Sequence, residues 1–80
     1  MANHQPEQSY VLCIDDGGYR ASLEVRKVYV VLPDESAAQD NFIRVIDETK
    51  EDYLYPENLF VPIEIPRKAI TLFSNVNKTV

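Results

Sequence analysis

Catalysis by a side-chain nucleophile needs Ser, Thr or Cys beside a base, and the only histidine, His4, stands in a polar N-terminal stretch without a second His or Cys near it. That leaves carboxylates as the groups with reactive potential. They gather in two places, Asp15-Asp16 and the run Asp47, Glu48, Glu51 and Asp52. Neither has the glycine and terminal glutamate spacing of a calcium loop. A chain of 80 residues also rarely encloses the pocket that shifts a carboxylate pair into the acid–base range. Both clusters read as solvated turns, the second offset only by Lys50. Gly17-Gly18 lacks the wider glycine spacing and the lysine of a phosphate loop and reads as a turn. No catalytic residue, metal or cofactor is expected, and the chain is not expected to be an enzyme.

The aromatic residues Tyr29, Tyr53, Tyr55 and Phe60 are the remaining feature. A small β-domain fills its interior with such side chains, so their first role is core. A tyrosine whose ring packs inward and whose hydroxyl reaches solvent also offers a partner an apolar rim with a donor. The candidate partner-binding set is therefore Tyr29, Tyr53, Tyr55 and Pro56 with the acidic Glu48 and Glu51. Tyr55, immediately before Pro56, is expected to pack inward more deeply than Tyr29. Two roles stay open. One is a non-catalytic interaction module binding a basic or proline-containing protein segment; the other is a structural subunit, a monomer or weak homodimer, pairing with a second copy through an edge strand.

Charge and composition narrow the partners. Thirteen acidic against eight basic side chains give a net charge of −5, which repels phosphate backbones, so nucleic acid is not expected. With 45% hydrophobic and 26% charged residues the composition is that of a soluble globular domain. No apolar run approaches the ~20 residues of a membrane span, and no membrane partner is expected. The single cysteine, Cys13, forms no internal disulfide, which points to the cytoplasm. Its neighbours Val11, Leu12 and Ile14 mark it as buried, and Asp15 and Asp16 raise its pKa, so it is expected to be inert.

The elements that position these residues are strands. Residues 9–14 are rich in β-formers and end at Asp15-Asp16-Gly17-Gly18, which reads as a tight reversal. Residues 25–32 hold the densest β-branched run, with Arg26-Lys27 interrupting the period as a bulge or corner would. Pro33 stops that strand, and residues 34–41 form a loop or a single helical turn. Residues 42–46 and 52–55 make an antiparallel hairpin with an acidic tip, placing Tyr53 and Tyr55 on one side and Leu54 on the other. Pro56-Glu57-Asn58 has the chemistry of a 3₁₀ or β-turn, after which residues 59–65 are again extended. Pro62 and Pro66 place this last strand on an edge or break it into short pieces. Residues 67–73 fit a short helix or a strand equally. One domain over residues 9–66 is expected, with a frayed tail at 1–8 and a C-terminal extension at 67–80.

Five short strands with a kink before the last predict a mainly β fold, a small five-stranded antiparallel barrel. The stretch Tyr55-Pro56-Glu57-Asn58-Leu59-Phe60 resembles the closing motif of SH3 domains, in which the proline begins a 3₁₀ turn between the last two strands. Peptide-binding members carry an Ala-Leu-Tyr-Asp-Tyr segment and a Trp; this chain has neither, Leu59 stands where their binding tyrosine lies, and only Pro56 matches a groove residue. Residues 10–66 are similar to small bacterial proteins of unknown function with SH3-like barrels. The segments that carry this are Arg26-Lys27-Val28-Tyr29, Arg44-Val45-Ile46-Asp47-Glu48 and Asp52-Tyr53-Leu54-Tyr55-Pro56. The resemblance implies a fold and no activity.

Overall fold

The computed structural model describes residues 9–74. The expected tail at 1–8, with His4, and residues 75–80 of the C-terminal extension lie outside the described residues. Five strands form one antiparallel sheet: β1 (Ser9–Cys13), β2 (Val28–Leu32), β3 (Phe42–Ile46), β4 (Asp52–Pro56) and β5 (Phe60–Ile63). Their order is β4-β3-β2-β1-β5, so the chain runs as a four-strand meander whose last strand returns to pair with the first. A 3₁₀ turn at Glu57–Leu59 joins β4 to β5 directly after Pro56, where the fixed proline φ was expected to start it. The expected mainly β, antiparallel five-strand fold is what the chain adopts.

Closure into a barrel is met only loosely, because β4 and β5 are the two edges of an open sheet. Pro62 gives a physical reason: it removes a donor from the edge strand that closure would have to use.

Two further differences lie between β1 and β2. The tight reversal expected at Asp15-Asp16-Gly17-Gly18 is only the start of an excursion through residues 14–27. Asp15 and Asp16 each accept from the backbone N–H two residues on, at 2.9 Å, which closes two successive side-chain turns. Gly17 (φ 59°) and Gly18 (φ 90°) take the positive φ those turns require. The Leu23 N–H then donates to the Tyr19 carbonyl at 2.8 Å, a helical-type turn that drops Leu23 into the core at 2% exposure. Residues 19–27 are therefore turns, and β2 begins at Val28 instead of Val25. Arg26-Lys27 is a bulge: the Arg26 N–H donates to the Cys13 carbonyl, the Cys13 N–H donates to the Lys27 carbonyl, and Arg26 has φ 76°. Two residues oppose one there, which turns the strand into the loop.

The insert between β2 and β3 is one helical turn, α1 (Glu35–Gln39). Asp34 caps it by accepting from the Ala37 N–H at 3.0 Å, and Asn41 ends it at φ 66°. The same Asp34 carboxylate takes the Arg44 Nε at 2.8 Å, while Arg44 Nη1 reaches Asp52 at 3.0 Å. One guanidinium thus ties α1 to β4 across β3. The backbone donor at Ala37 and then Arg44 hold the Asp34 carboxyl below its ordinary pKa. Residues 67–74, undecided by periodicity, form α2 (Arg67–Ser74), entered directly after Pro66, whose carbonyl accepts from the Ala69 N–H at 2.8 Å. This helix lies against β2.

The core occupies one face of the sheet. Val11, Cys13, Tyr29, Val45, Tyr55 and Phe60 pack there with Leu23 from the excursion and Leu59 from the 3₁₀ turn. Cys13 is fully buried, as its apolar neighbours implied. Burial pushes its thiol pKa up, outweighing the hydrogen bond to the Asp15 carbonyl, and the Asp16 and Asp15 carboxylates add to the rise. In native buffer, Cys13 is expected to react with an aromatic disulfide reagent at least ~100-fold more slowly than in denaturant. Equal rates in the two conditions would place the thiol at the surface.

Candidate functional site

The two buried tyrosines are the key to how the loops are held. Tyr29, on the middle strand, is 5% exposed and Tyr55, on β4, 4%. Sequence reasoning set Tyr55 deeper than Tyr29; the structure buries them alike, because Val11, Tyr29 and Val31 share the core face that a bulge at Arg26-Lys27 leaves intact. Their rings meet around Phe60, edge to face, with centroids 6.5 Å from Tyr29 and 6.3 Å from Tyr55.

Both hydroxyls end on carboxylates of the β3–β4 tip. Tyr29 donates to Glu48 Oε2 at 2.5 Å and accepts from the Glu24 N–H at 2.8 Å. Tyr55 donates to Asp47 Oδ2 at 2.5 Å and sits 2.8 Å from Ser22 Oγ, which must be the donor there because a phenol has one proton. The Glu48 N–H donates to the Ser22 carbonyl at 3.0 Å. Each tyrosine therefore bolts the 14–27 excursion and the hairpin tip to the sheet. Burial first, and then the carboxylate each hydroxyl donates to, raises both phenol pKa values, that of Tyr55 to about 12.

The acidic tip is correspondingly not a cluster of free charges. Asp47 is buried at 3% exposure and also takes the Thr49 N–H and hydroxyl at 2.8 and 2.6 Å. This is the side-chain turn that lets Lys50 adopt φ 73° and the hairpin close with Asp47 N–H on the Glu51 carbonyl. Glu48 pairs with Lys27 at 2.8 Å. Burial opposes its ionisation, but the Lys27 and Tyr29 bonds outweigh that and hold its carboxyl below the ordinary value. Asp52 belongs to Arg44. Glu51 and Asp52 keep the exposed position expected of the whole run, and Glu51 accepts from the Tyr53 hydroxyl at 3.1 Å.

Of the six candidate residues, then, Tyr29, Tyr55 and Glu48 are internal fasteners, Pro56 is half-buried at the start of the 3₁₀ turn, and Tyr53 and Glu51 reach solvent. Tyr53 is 50% exposed. Beside it lies a groove of about 300 Å³ lined by Tyr19, Ser22, Thr49, Tyr53, Leu54 and Tyr55, with Asp47 at its base. Tyr19 packs edge-on against Tyr55, centroids 4.9 Å apart at 86°, yet stays 44% exposed, and Leu54 is 43% exposed.

No family model matches this chain, and no curated protein or solved structure matches it. The groove must be interpreted from its own chemistry. Tyr19, Ser22 and Leu54 were not among the candidate residues. Tyr19 follows Gly17-Gly18, and a tight reversal there gives its ring no reason to cross to β4. The signal was the pair of aspartates, which make local turns instead of a two-residue hairpin. Among the described residues, no group of three or more His, Cys, Asp or Glu side chains could hold a metal ion, and no helix is long and apolar enough to cross a membrane. What the groove offers is aromatic area, one aliphatic residue, hydroxyls and a buried carboxylate at its base.

Proposed function

We propose that this chain is a non-catalytic protein-interaction module that recognises a segment of another protein through the groove between the 14–27 excursion and β4. The observation that carries this reading is the groove beside the β4 edge, about 300 Å³, which Tyr19, Tyr53 and Leu54 line while staying 44%, 50% and 43% exposed. Tyrosines of this kind concentrate binding energy where partners dock. Their hydroxyls and rings are presented by backbone that Tyr29 and Tyr55 pin to the core, so a partner meets a preorganised surface. The net charge of −5, with the exposed Glu51 hydrogen-bonded to Tyr53, selects a basic segment and disfavours nucleic acid. A free cysteine held out of solvent supports a cytoplasmic setting. The 3₁₀ turn after Pro56 and the return of β5 to β1 support the SH3-like reading of the fold.

The test is capture from native extract with the wild-type domain against a Tyr19→Ser, Tyr53→Ser double variant. Both side chains are about half exposed, so the variant is expected to melt within a few degrees of wild type and to lose at least ~10-fold of its partner. Capture is also expected to fall with added salt, and Glu51→Gln to slow association, because exposed charges steer encounter and are screened beyond ~8 Å at physiological ionic strength. Retention of the same partner in equal amount by the double variant would overturn the groove as the binding surface.

A further inference from the structure

Resting on that reading, we infer how the partner is held: an extended, basic segment adds as a sixth strand to the free edge of β4. The inference starts from the difference between the sheet's two edges. In an antiparallel ladder, the backbone groups of successive residues point alternately to one neighbour and to the other. Along β4 the ladder is fixed at both ends, by the Asp47 N–H on the Glu51 carbonyl and the Glu57 N–H on the Asn41 carbonyl. Between these, in the observed register, Tyr53 and Tyr55 turn their backbone groups toward β3, opposite Val45 and Ile43. The N–H and C=O of Leu54, and those of Asp52, therefore point outward. No backbone hydrogen bond joins them to another described residue.

The β5 edge is different. Cys13 spends its backbone groups on the Arg26-Lys27 bulge, so Leu12 and Tyr10 face β5 and meet Val61 and Ile63. The outward positions of β5 are then Phe60 and Pro62, and Pro62 has no N–H. A proline at the outward position is one of the standard ways an edge is closed to further pairing. The β4 edge carries no such block until Pro56, at its last residue.

The groove lies along this same edge. It touches Tyr53, Leu54 and Tyr55, three consecutive residues whose side chains alternate between the faces of the sheet. A groove that touches all three runs beside the strand, and β3 occupies the other side. Its far wall is Tyr19 and Ser22, so an added strand would lie between that wall and the Leu54 backbone, with apolar side chains on Tyr19 and Tyr53.

Charge decides between a foreign segment and a second copy. Glu51 and Asp52 stand at one end of the strand and Glu57 at the other. Pairing two copies antiparallel about Leu54 would set Glu51 of each against Glu57 of the other, within a dimer of chains each carrying −5. Lysines or arginines alternating with apolar residues meet the same positions with opposite charge.

The experiment uses the full chain, isotope-labelled, titrated with a capped octapeptide of alternating Lys and Val. The expected result is that shifts concentrate on residues 52–54, that the Leu54 amide exchanges at least ~10-fold more slowly at saturation, and that an alternating Glu and Val octapeptide does not bind. Leu54→Pro removes the outward donor and should weaken binding at least ~10-fold. Should that variant fail to fold, the same Lys and Val peptide N-methylated throughout makes the test from the ligand side and should lose binding likewise. Undiminished binding of the N-methylated peptide, or of a folded Leu54→Pro, overturns strand addition while leaving side-chain recognition in the groove, and so the module itself, intact. No binding of the Lys and Val peptide overturns the inference outright; if sedimentation then shows a concentration-dependent dimer that Leu54→Pro abolishes, the occupant is a second copy. The interaction-module reading is judged separately, by the Tyr19 and Tyr53 capture experiment.

Discussion

Tyr55→Ala and Tyr29→Ala are each expected to lower stability by about 3–5 kcal/mol, the range for truncating a fully buried aromatic side chain. For a domain whose total stability is on the order of 5–15 kcal/mol, either loss removes much of it. The two are expected to be alike because the rings are buried alike and share Phe60 as a neighbour. Removing the hydroxyl alone should separate them. Tyr55→Phe leaves the Asp47 carboxylate, 3% exposed, without one of its donors. Tyr29→Phe leaves Glu48, whose side chain is 31% exposed and keeps Lys27. The first is therefore expected to cost about 2 kcal/mol and the second about 1 or less, since the penalty of an unpaired polar group grows with its burial. Urea denaturation of the four variants measures this. Equal midpoints for Tyr55→Phe and Tyr29→Phe would show that the Asp47 bond carries no special weight, and a mild Tyr29→Ala would show that its ring is not core.

These two residues also mark how far the sequence could be read. Strand positions were legible because β-branched runs, Pro33 and Pro56 act locally: β1, β3, β4, β5 and the 3₁₀ turn fall where residue chemistry placed them. The shared side of Tyr53 and Tyr55 followed from strand alternation alone. Three things were hidden, and all depend on distant partners. The depth of Tyr29 depends on Phe60 and Glu48, far along the chain. The acidic tip looked uniformly solvated because nothing near Asp47 in sequence shows that Tyr55 and Thr49 will enclose it. The groove needs Tyr19 beside Tyr55, a contact made only because Leu23 is drawn into the core and carries the excursion across the sheet. A candidate site chosen on aromatic and acidic residue types thus gathered the fasteners with the surface they support: Tyr29, Tyr55 and Glu48 position, while Tyr53 and Glu51 are presented.

The fold is expected to have an alkaline limit set by the same tyrosines. Burial, and then donation to Asp47, raises the Tyr55 phenol from an ordinary value of 10.0 to about 12, and Tyr29 is raised by burial and by Glu48 in the same direction. A folded-state pKa above the unfolded one means that the native state holds the proton more tightly. The stability this confers is complete below pH ~10, and it is lost as pH rises through the native value, because unfolding then releases a proton to solvent. For Tyr55 a rise from 10.0 to about 12 corresponds to about 3 kcal/mol in all, of which about 2 is lost by pH 12. Lysines also titrate there, so the measurement is a difference: urea denaturation of wild type and Tyr55→Phe from pH 7 to 12. Wild type should exceed the variant by a constant margin up to pH ~9, and the margin should then shrink by about 2 kcal/mol by pH 12, which closes it. Parallel curves to pH 12 would mean that Tyr55 ionises as readily in the folded chain as in the unfolded one, which its hydrogen bond to a buried carboxylate does not allow.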